Sequence, residues 1–156
     1  MPKIDSVFVA NRGEIAVRII RACRDLGLRT VQAYSDADAN SLPVRLADDA
    51  VPVGVAASKH SYLNQAVLIA AAKASGADAI HPGYGFLSEN ADFAEQCEAA
   101  GLTYIGAQPS VIRMMGDKSA ARRLAVEIGV PVGHGSDYPV SNPDEAAEKA
   151  IGKPDW

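Results

Sequence analysis

Short apolar runs and helix-spaced repeats alternate along this chain from its start. Residues 6–10 (S-V-F-V-A) are apolar and β-rich, which predicts a strand. Over residues 14–26, apolar side chains recur at Ile15, Ile19, Cys23 and Leu26, the spacing of one helix face. Residues 30–34 and 50–53 predict a second and third strand, and the Ala- and Leu-rich residues 64–75 predict a helix. A short apolar stretch at 78–81 runs into a glycine-bearing turn. Residues 90–100 predict a helix with Asn90 as its N-cap, and 103–105 a further strand. Two more helices are expected at 109–115 and 118–128, split by Gly116-Asp117.

Gly27, Gly76, Gly101 and Gly129 each follow a helical run and precede a β-like segment or turn. That is where a helix ends in a left-handed residue. Repetition of helix, glycine and strand predicts a parallel sheet with crossover helices on both faces, a doubly wound α/β domain over residues 1–108. Residues 109–156 form a second region. Within it, residues 130–143 carry three prolines and two glycines and predict a loop, after which Asn142-Pro143 reads as a helix start. The tail from about Val130 is expected to be mobile, with uncovered apolar surface that favours self-association.

Composition narrows the classes. The 156 residues are 48% hydrophobic and 22% charged, as in a globular domain. Net charge is −4, which argues against a nucleic-acid partner. No charge-free stretch is long enough for a membrane span, and the first ten residues do not make a signal peptide, so a cytoplasmic protein is expected. Two cysteines, Cys23 and Cys97, make neither a disulfide framework nor a four-ligand zinc site, and both fall on helices as core residues. With three histidines and no His-x-x-x-His pair, no metal ligands are assigned.

In such sheets, functional loops lie at the carboxyl ends of strands. Two loops qualify: Asn11-Arg12-Gly13-Glu14 and the segment 81–90 (H-P-G-Y-G-F-L-S-E-N). The first has a single glycine where a dinucleotide fold carries G-x-G-x-x-G, so it reads as a turn in which Glu14 favours the helix dipole. Asp36 and Asp38, after the second strand, likewise read as turn residues. In the second loop, Gly83 and Gly85 flank Tyr84, which lets backbone approach a ligand and leaves the phenol projecting; His81 reads as a buried, hydrogen-bonded imidazole. Lys118 starts a helix; by itself it reads as a solvated lysine, although a phosphate there is chemically reasonable. Arg18 and Arg21 share one face of the first helix, a solvated stripe or a subunit contact.

The strings V-A-N-R-G-E-I-A-V-R-I-I-R-A-C and A-I-H-P-G-Y-G-F-L-S-E-N-A, with M-G-D-K at residues 115–118, resemble the biotin carboxylase family over residues 4–152. Within it the chain looks most like the biotin carboxylase part of a bacterial acyl-CoA carboxylase α chain, of acetyl- or propionyl-CoA type; the pyruvate carboxylase type stays open. The resemblance implies a Rossmann-like N-terminal domain followed by an ATP-grasp module. It implies use of MgATP and bicarbonate to carboxylate biotin on a carrier protein, through carboxyphosphate, as the first half-reaction of acyl-CoA carboxylation. It makes Lys118 an ATP contact, which reverses the solvated reading. It places Gly83, Tyr84 and Gly85 in a loop bordering the biotin and bicarbonate site. It puts Arg18, Arg21 and Asp25 near a homodimer interface; Asp25 is often Glu in the family. The implied partners are a biotin carboxyl carrier protein and a carboxyltransferase, which chooses the acyl-CoA.

Family members continue beyond residue 152 into a strand with a second ATP lysine, then a glycine-rich phosphate loop, the magnesium carboxylates and the bicarbonate-binding residues. Here the sequence reads Lys153-Pro154-Asp155-Trp156. The expectation is therefore an enzyme fragment, inactive alone and left by a gene break, a frameshift or an artificial boundary. The alternative is a non-enzymatic interaction or split-subunit module completed by another chain; the downstream coding sequence separates the two. An unrelated nucleotide-binding dehydrogenase domain is disfavoured by the missing glycine fingerprint, and tight NAD binding would revive it.

Overall fold

The computed structural model describes residues 3–133 and 140–150. Part of the predicted loop and the Lys153–Trp156 end, on which the expectations of mobility and truncation partly fall, lie outside the described residues. Two compact units divide the chain, Met1–Pro109 and Ser110–Trp156.

The first unit is a five-stranded parallel sheet. Its strands are β1 (Ser6–Val9), β2 (Arg29–Ser35), β3 (Asp49–Gly54), β4 (Ala79–His81) and β5 (Thr103–Tyr104), in the order β3-β2-β1-β4-β5. Its helices are α1 (Gly13–Asp25), α2 (Leu42–Leu46), α3 (Gln65–Ala74) and α4 (Ala91–Ala99). The doubly wound α/β expectation holds. Right-handed crossovers in this strand order put α1 and α2 on one face, α3 and α4 on the other. Accordingly α1 packs against α2, and α3 against α4.

Strand β1 sits at the centre and all four of its residues are buried, as a parallel strand covered on both faces requires. Val7 and Val9 pack with Ala16, Ile19, Ile20 and Cys23, the i, i+3, i+4, i+7 stripe of α1. Of the four residues the spacing predicts on this face, Ile19 and Cys23 are buried and Ile15 partly so, while Leu26 falls past the helix end and is exposed. Phe8 points to the opposite face and is fully buried. The end of α1 explains one predicted glycine. Gly27 adopts φ +71°, so its N–H reaches Arg24 O (3.0 Å) and that of Leu28 reaches Cys23 O (2.9 Å). These two bonds satisfy carbonyls that the helix leaves unpaired. Asn90 caps α4 as expected, accepting from Phe93 N at 2.8 Å. Cys23 and Cys97 are both buried, and burial pushes the Cys97 thiol up to about 12.

Helix α2 has no counterpart in the sequence reading. It spans five residues, with a proline in its first turn, too few for a helical repeat to register.

From the unit boundary onward, α5 (Pro109–Gly116) and α6 (Lys118–Glu127) bury no residue, and Met114, Met115, Val126 and Ile128 are exposed. Asp117 caps α6 by accepting from Ala120 N at 2.9 Å. Helix α7 (Pro143–Ala150) starts where predicted, with Asn142 Oδ1 accepting from Glu145 N at 2.9 Å.

The core of the first unit gives a direct stability test. Phe93 is fully buried and meets Tyr104 edge to face, with ring centroids 6.1 Å apart. Phe93→Ala is expected to cost about 3–5 kcal/mol in urea unfolding. Leu26→Ala, at a side chain 74% exposed, is expected to stay within about 0.5 kcal/mol of the parent. Equal effects would contradict this placement of the core.

Candidate functional site

Strand order reverses between β1 and β4, and the crevice beyond their carboxyl ends is where open α/β sheets bind ligands. The two loops singled out from the sequence leave the sheet there. Val9 pairs with His81 in register, and Ala10 N donates to His81 O at 3.0 Å, so the loops start side by side.

Asn11 joins them. It is 3% exposed, and its Nδ2 donates to Pro82 O (2.6 Å) and Tyr84 O (2.9 Å). Its backbone oxygen accepts from the buried Gln32 Nε2 at 2.6 Å. Gly83 lies between the two tied carbonyls at φ +69°, where a Cβ would sit 2.8 Å from Asn11 Nδ2. Glycine is thus required by both conformation and space. Gly83 N donates to His81 Nδ1 at 3.0 Å, and burial lowers the His81 pKa, which favours the neutral ring such an acceptor needs. His81 is half-buried and hydrogen-bonded, close to the sequence reading.

Tyr84 projects from this frame with 62% of its surface exposed. Its hydroxyl donates to Glu14 Oε2 at 2.9 Å, and that bond to a carboxylate raises the phenol's pKa. Gly85 follows at φ +65° with open space around it. Arg18 Nε lies 3.8 Å from Glu14 Oε1, one helical turn on. Arg18, Arg21 and Asp25 are all exposed along one side of α1. Lys118 belongs to the second unit; it is exposed and is the first residue of α6. The structure therefore brings Gly83, Tyr84 and Gly85 together with the start of α1, whose exposed side carries Arg18, Arg21 and Asp25.

The turn reading of Asp38 needs correction. It does end a short 3-10 turn, Asp36–Asp38, but it is only 8% exposed. Its carboxylate is gripped twice by Arg12, Nε to Oδ2 at 2.8 Å and Nη2 to Oδ1 at 2.6 Å. Tyr62 OH (2.8 Å) and Ser35 Oγ (3.0 Å) also donate to Oδ2. Arg12 is the largest cause holding the Asp38 pKa down at about 2, with Tyr62 and Ser35 adding to it. Nothing local announces this pair. The partners lie 26 residues apart on loops of adjacent strands, and D-A-D is ordinary turn composition. Asn11 likewise carries no local signal beyond that of a turn residue.

Two open clefts elsewhere on the first unit, one lined by Lys3, Asp78, Glu98 and Tyr104 and the other by Arg24, Leu28, Arg29 and Asp48, hold none of the candidate site residues. Among the described residues no group of three or more His, Cys, Asp and Glu side chains is placed to share a metal ion. No helix among them is long and apolar enough to cross a membrane.

Parallel sheet, strand order and paired loops define an α/β domain of the doubly wound class, with its candidate site at the reversal point. The family profile described as "Biotin carboxylase, N-terminal domain" matches residues 3–112. The chain belongs to that family. It is 56% identical over 150 residues to a biotin carboxylase of Haemophilus influenzae, covering 96% of this chain and 33% of the relative. It is 51% identical to a pyruvate carboxylase subunit of Methanothermobacter thermautotrophicus, covering 95% and 30%. Among solved structures, the biotin carboxylase domain of the Hydrogenobacter thermophilus 2-oxoglutarate carboxylase, in complex with MgADP, ADP and bicarbonate, superposes with a TM-score of 0.89. That match has 44% identity and covers 99% of this chain and 34% of the other. The chain spans about a third of the length of the curated relatives it matches.

The Asp38 pair makes a pH prediction. The folded pKa near 2 lies below the ordinary 3.8, so the stabilisation is present above about pH 4 and is lost as pH falls through about 2. Asp38→Asn should lower stability at pH 7 by ~1–2 kcal/mol, a modest loss because Arg12 is half exposed. The gap between parent and variant should then narrow with acid. Chemical unfolding across pH 7 to 2 checks this, and a constant gap would refute the ion pair.

Proposed function

We propose that this chain is the N-terminal part of a biotin carboxylase, which carboxylates carrier-bound biotin with MgATP and bicarbonate as the first half-reaction of a biotin-dependent carboxylation. The observation that carries this reading is the Asn11-tied Gly83-Tyr84-Gly85 loop at the reversal point of a domain belonging to that family. On this reading the loop borders the biotin and bicarbonate site, with Tyr84 facing the ligand. Lys118 contributes one positive charge to the nucleotide phosphates, and its exposed ammonium at a helix start suits that role. Arg18, Arg21 and Asp25 form part of a homodimer contact. The partners are a biotin carboxyl carrier protein or domain and a carboxyltransferase, whose identity decides which acyl-CoA, or pyruvate, accepts the carboxyl group. Relatives include subunits of methylcrotonoyl-CoA and pyruvate carboxylases, so the family leaves that acceptor open.

Phosphoryl transfer is catalysed by positioning and by charge stabilisation from several groups. A single lysine supplies a small part of that. The 156 residues by themselves are therefore expected to form no carboxybiotin from biotin, MgATP and labelled bicarbonate, and carboxybiotin above the no-protein blank would overturn this division of labour. Calorimetry with MgATP reads Lys118 separately. Any nucleotide binding should be lost in Lys118→Ala, and equal binding by parent and variant would remove Lys118 from the site.

A further inference from the structure

The loop that carries Tyr84 is held at both ends, and the two ties are connected. At one end Asn11 binds the carbonyls of Pro82 and Tyr84. At the other, the Phe86 ring stacks on Tyr62, with centroids 5.3 Å apart and planes 20° from parallel. Phe86 has φ +44°, a backbone conformation disfavoured for any residue with a side chain and held only by its surroundings. The stacked Tyr62 ring is such a surrounding. Tyr62 is in turn fixed by its hydroxyl, which donates to Asp38 Oδ2 and accepts from Ser35 N at 3.0 Å. Asp38 is fixed by Arg12, and Arg12 follows Asn11 in the chain, its N–H donating to Asn11 Oδ1 at 2.8 Å. The circuit closes: Asn11, Arg12, Asp38, Tyr62, Phe86, Tyr84 and back to Asn11.

We propose that Asp38 and Tyr62 are positioning residues for Tyr84, acting through this circuit rather than by contact with any ligand. The proposal rests on the reading of Tyr84 as ligand-facing. Tyr84 touches neither residue through a hydrogen bond; its hydroxyl reaches Glu14, in the first turn of α1. That contact requires the loop to stand at a set distance from the helix that begins beside Arg12. Breaking the circuit at Asp38 removes one of the two bonds on the Tyr62 hydroxyl and so loosens Tyr62, then Phe86, although the Tyr104 hydroxyl still holds Ser88 O further along the loop. The Asn11 tie and the α1 face of the core, in which neither Asp38 nor Tyr62 takes part, stay in place.

The Tyr84–Glu14 contact supplies the readout. In the 156-residue chain labelled with 13Cζ-tyrosine, the Tyr84 resonance at pH 7 is identified by its loss in Tyr84→Phe. Glu14→Gln marks its position once the carboxylate acceptor is gone. Asp38→Asn and Tyr62→Phe are each expected to shift the Tyr84 resonance toward the Glu14→Gln position. Tyr62→Phe keeps the ring and removes only the hydroxyl, so it serves if Asp38→Asn fails to fold. Cys23→Ala, a core loss at the far end of α1 from Glu14, is expected to leave Tyr84 unmoved. An unmoved Tyr84 resonance in the circuit variants, or an equal shift in Cys23→Ala, would overturn the proposal. Biotin turnover tests the other premise: an active enzyme indifferent to Tyr84→Ala would refute the ligand-facing reading and leave this shift intact.

Discussion

Strands β1 and β4 are neighbours in the sheet although the whole of β2, β3 and three helices separates them in sequence. Their pairing is the constraint on which the candidate site depends. The crossovers α1 and α2 carry the chain outward from β1 on one face, and α3 returns it on the other to lay β4 against β1. Only then do the loops after Val9 and after His81 leave the sheet together, with Asn11 able to bridge them. A buried amide whose two N–H donors both find carbonyls is favourable, and leaving those carbonyls unpaired in the same place would be costly. The bridge therefore fixes the loop where the sheet puts it, and forces glycine at position 83.

Charge does the rest of the organising. Asp38 is nearly buried, and an isolated carboxylate there would pay for its desolvation. The Arg12 guanidinium grips it with two bonds, and Tyr62 and Ser35 satisfy what remains. The cluster ties the loop after β1 to the turn after β2, and so steadies the second wall of the same crevice. Tyr84 then stands out from a frame anchored on three strands. A rigid frame with one projecting side chain is what precise placement of a ligand requires.

Much of the fold is legible in the sequence because its signals are local and periodic. Ile19 and Cys23 on α1, the Asn90 cap, and the glycine after α1 each follow from a few adjacent residues, whereas the spacing also puts Leu26, which is exposed, on the buried face and misses Ala16 and Ile20. The site is legible only in part. Gly83, Tyr84 and Gly85 stand out by composition, whereas Asn11 and Asp38 read as turn residues because their partners lie on other strands. The positive φ of Phe86 has no sequence signature at all, since nothing in the residue type favours it. The roles read for Lys118, Arg18, Arg21 and Asp25 come from resemblance, as periodicity alone leaves them as surface charges. One further signal is present in the chain: a glycine beside a projecting tyrosine demands a reason, and the polar residue ending the neighbouring strand is the first place to look for one.

The most direct test joins this chain to the rest of an enzyme. The matched third of the Haemophilus influenzae biotin carboxylase is replaced by these residues, and biotin carboxylation is measured with MgATP and bicarbonate. The chimera is expected to turn over biotin, and Tyr84→Ala within it to raise the KM for biotin. A chimera that folds but carries out no carboxylation would contradict the assignment of this chain as the N-terminal part of such an enzyme.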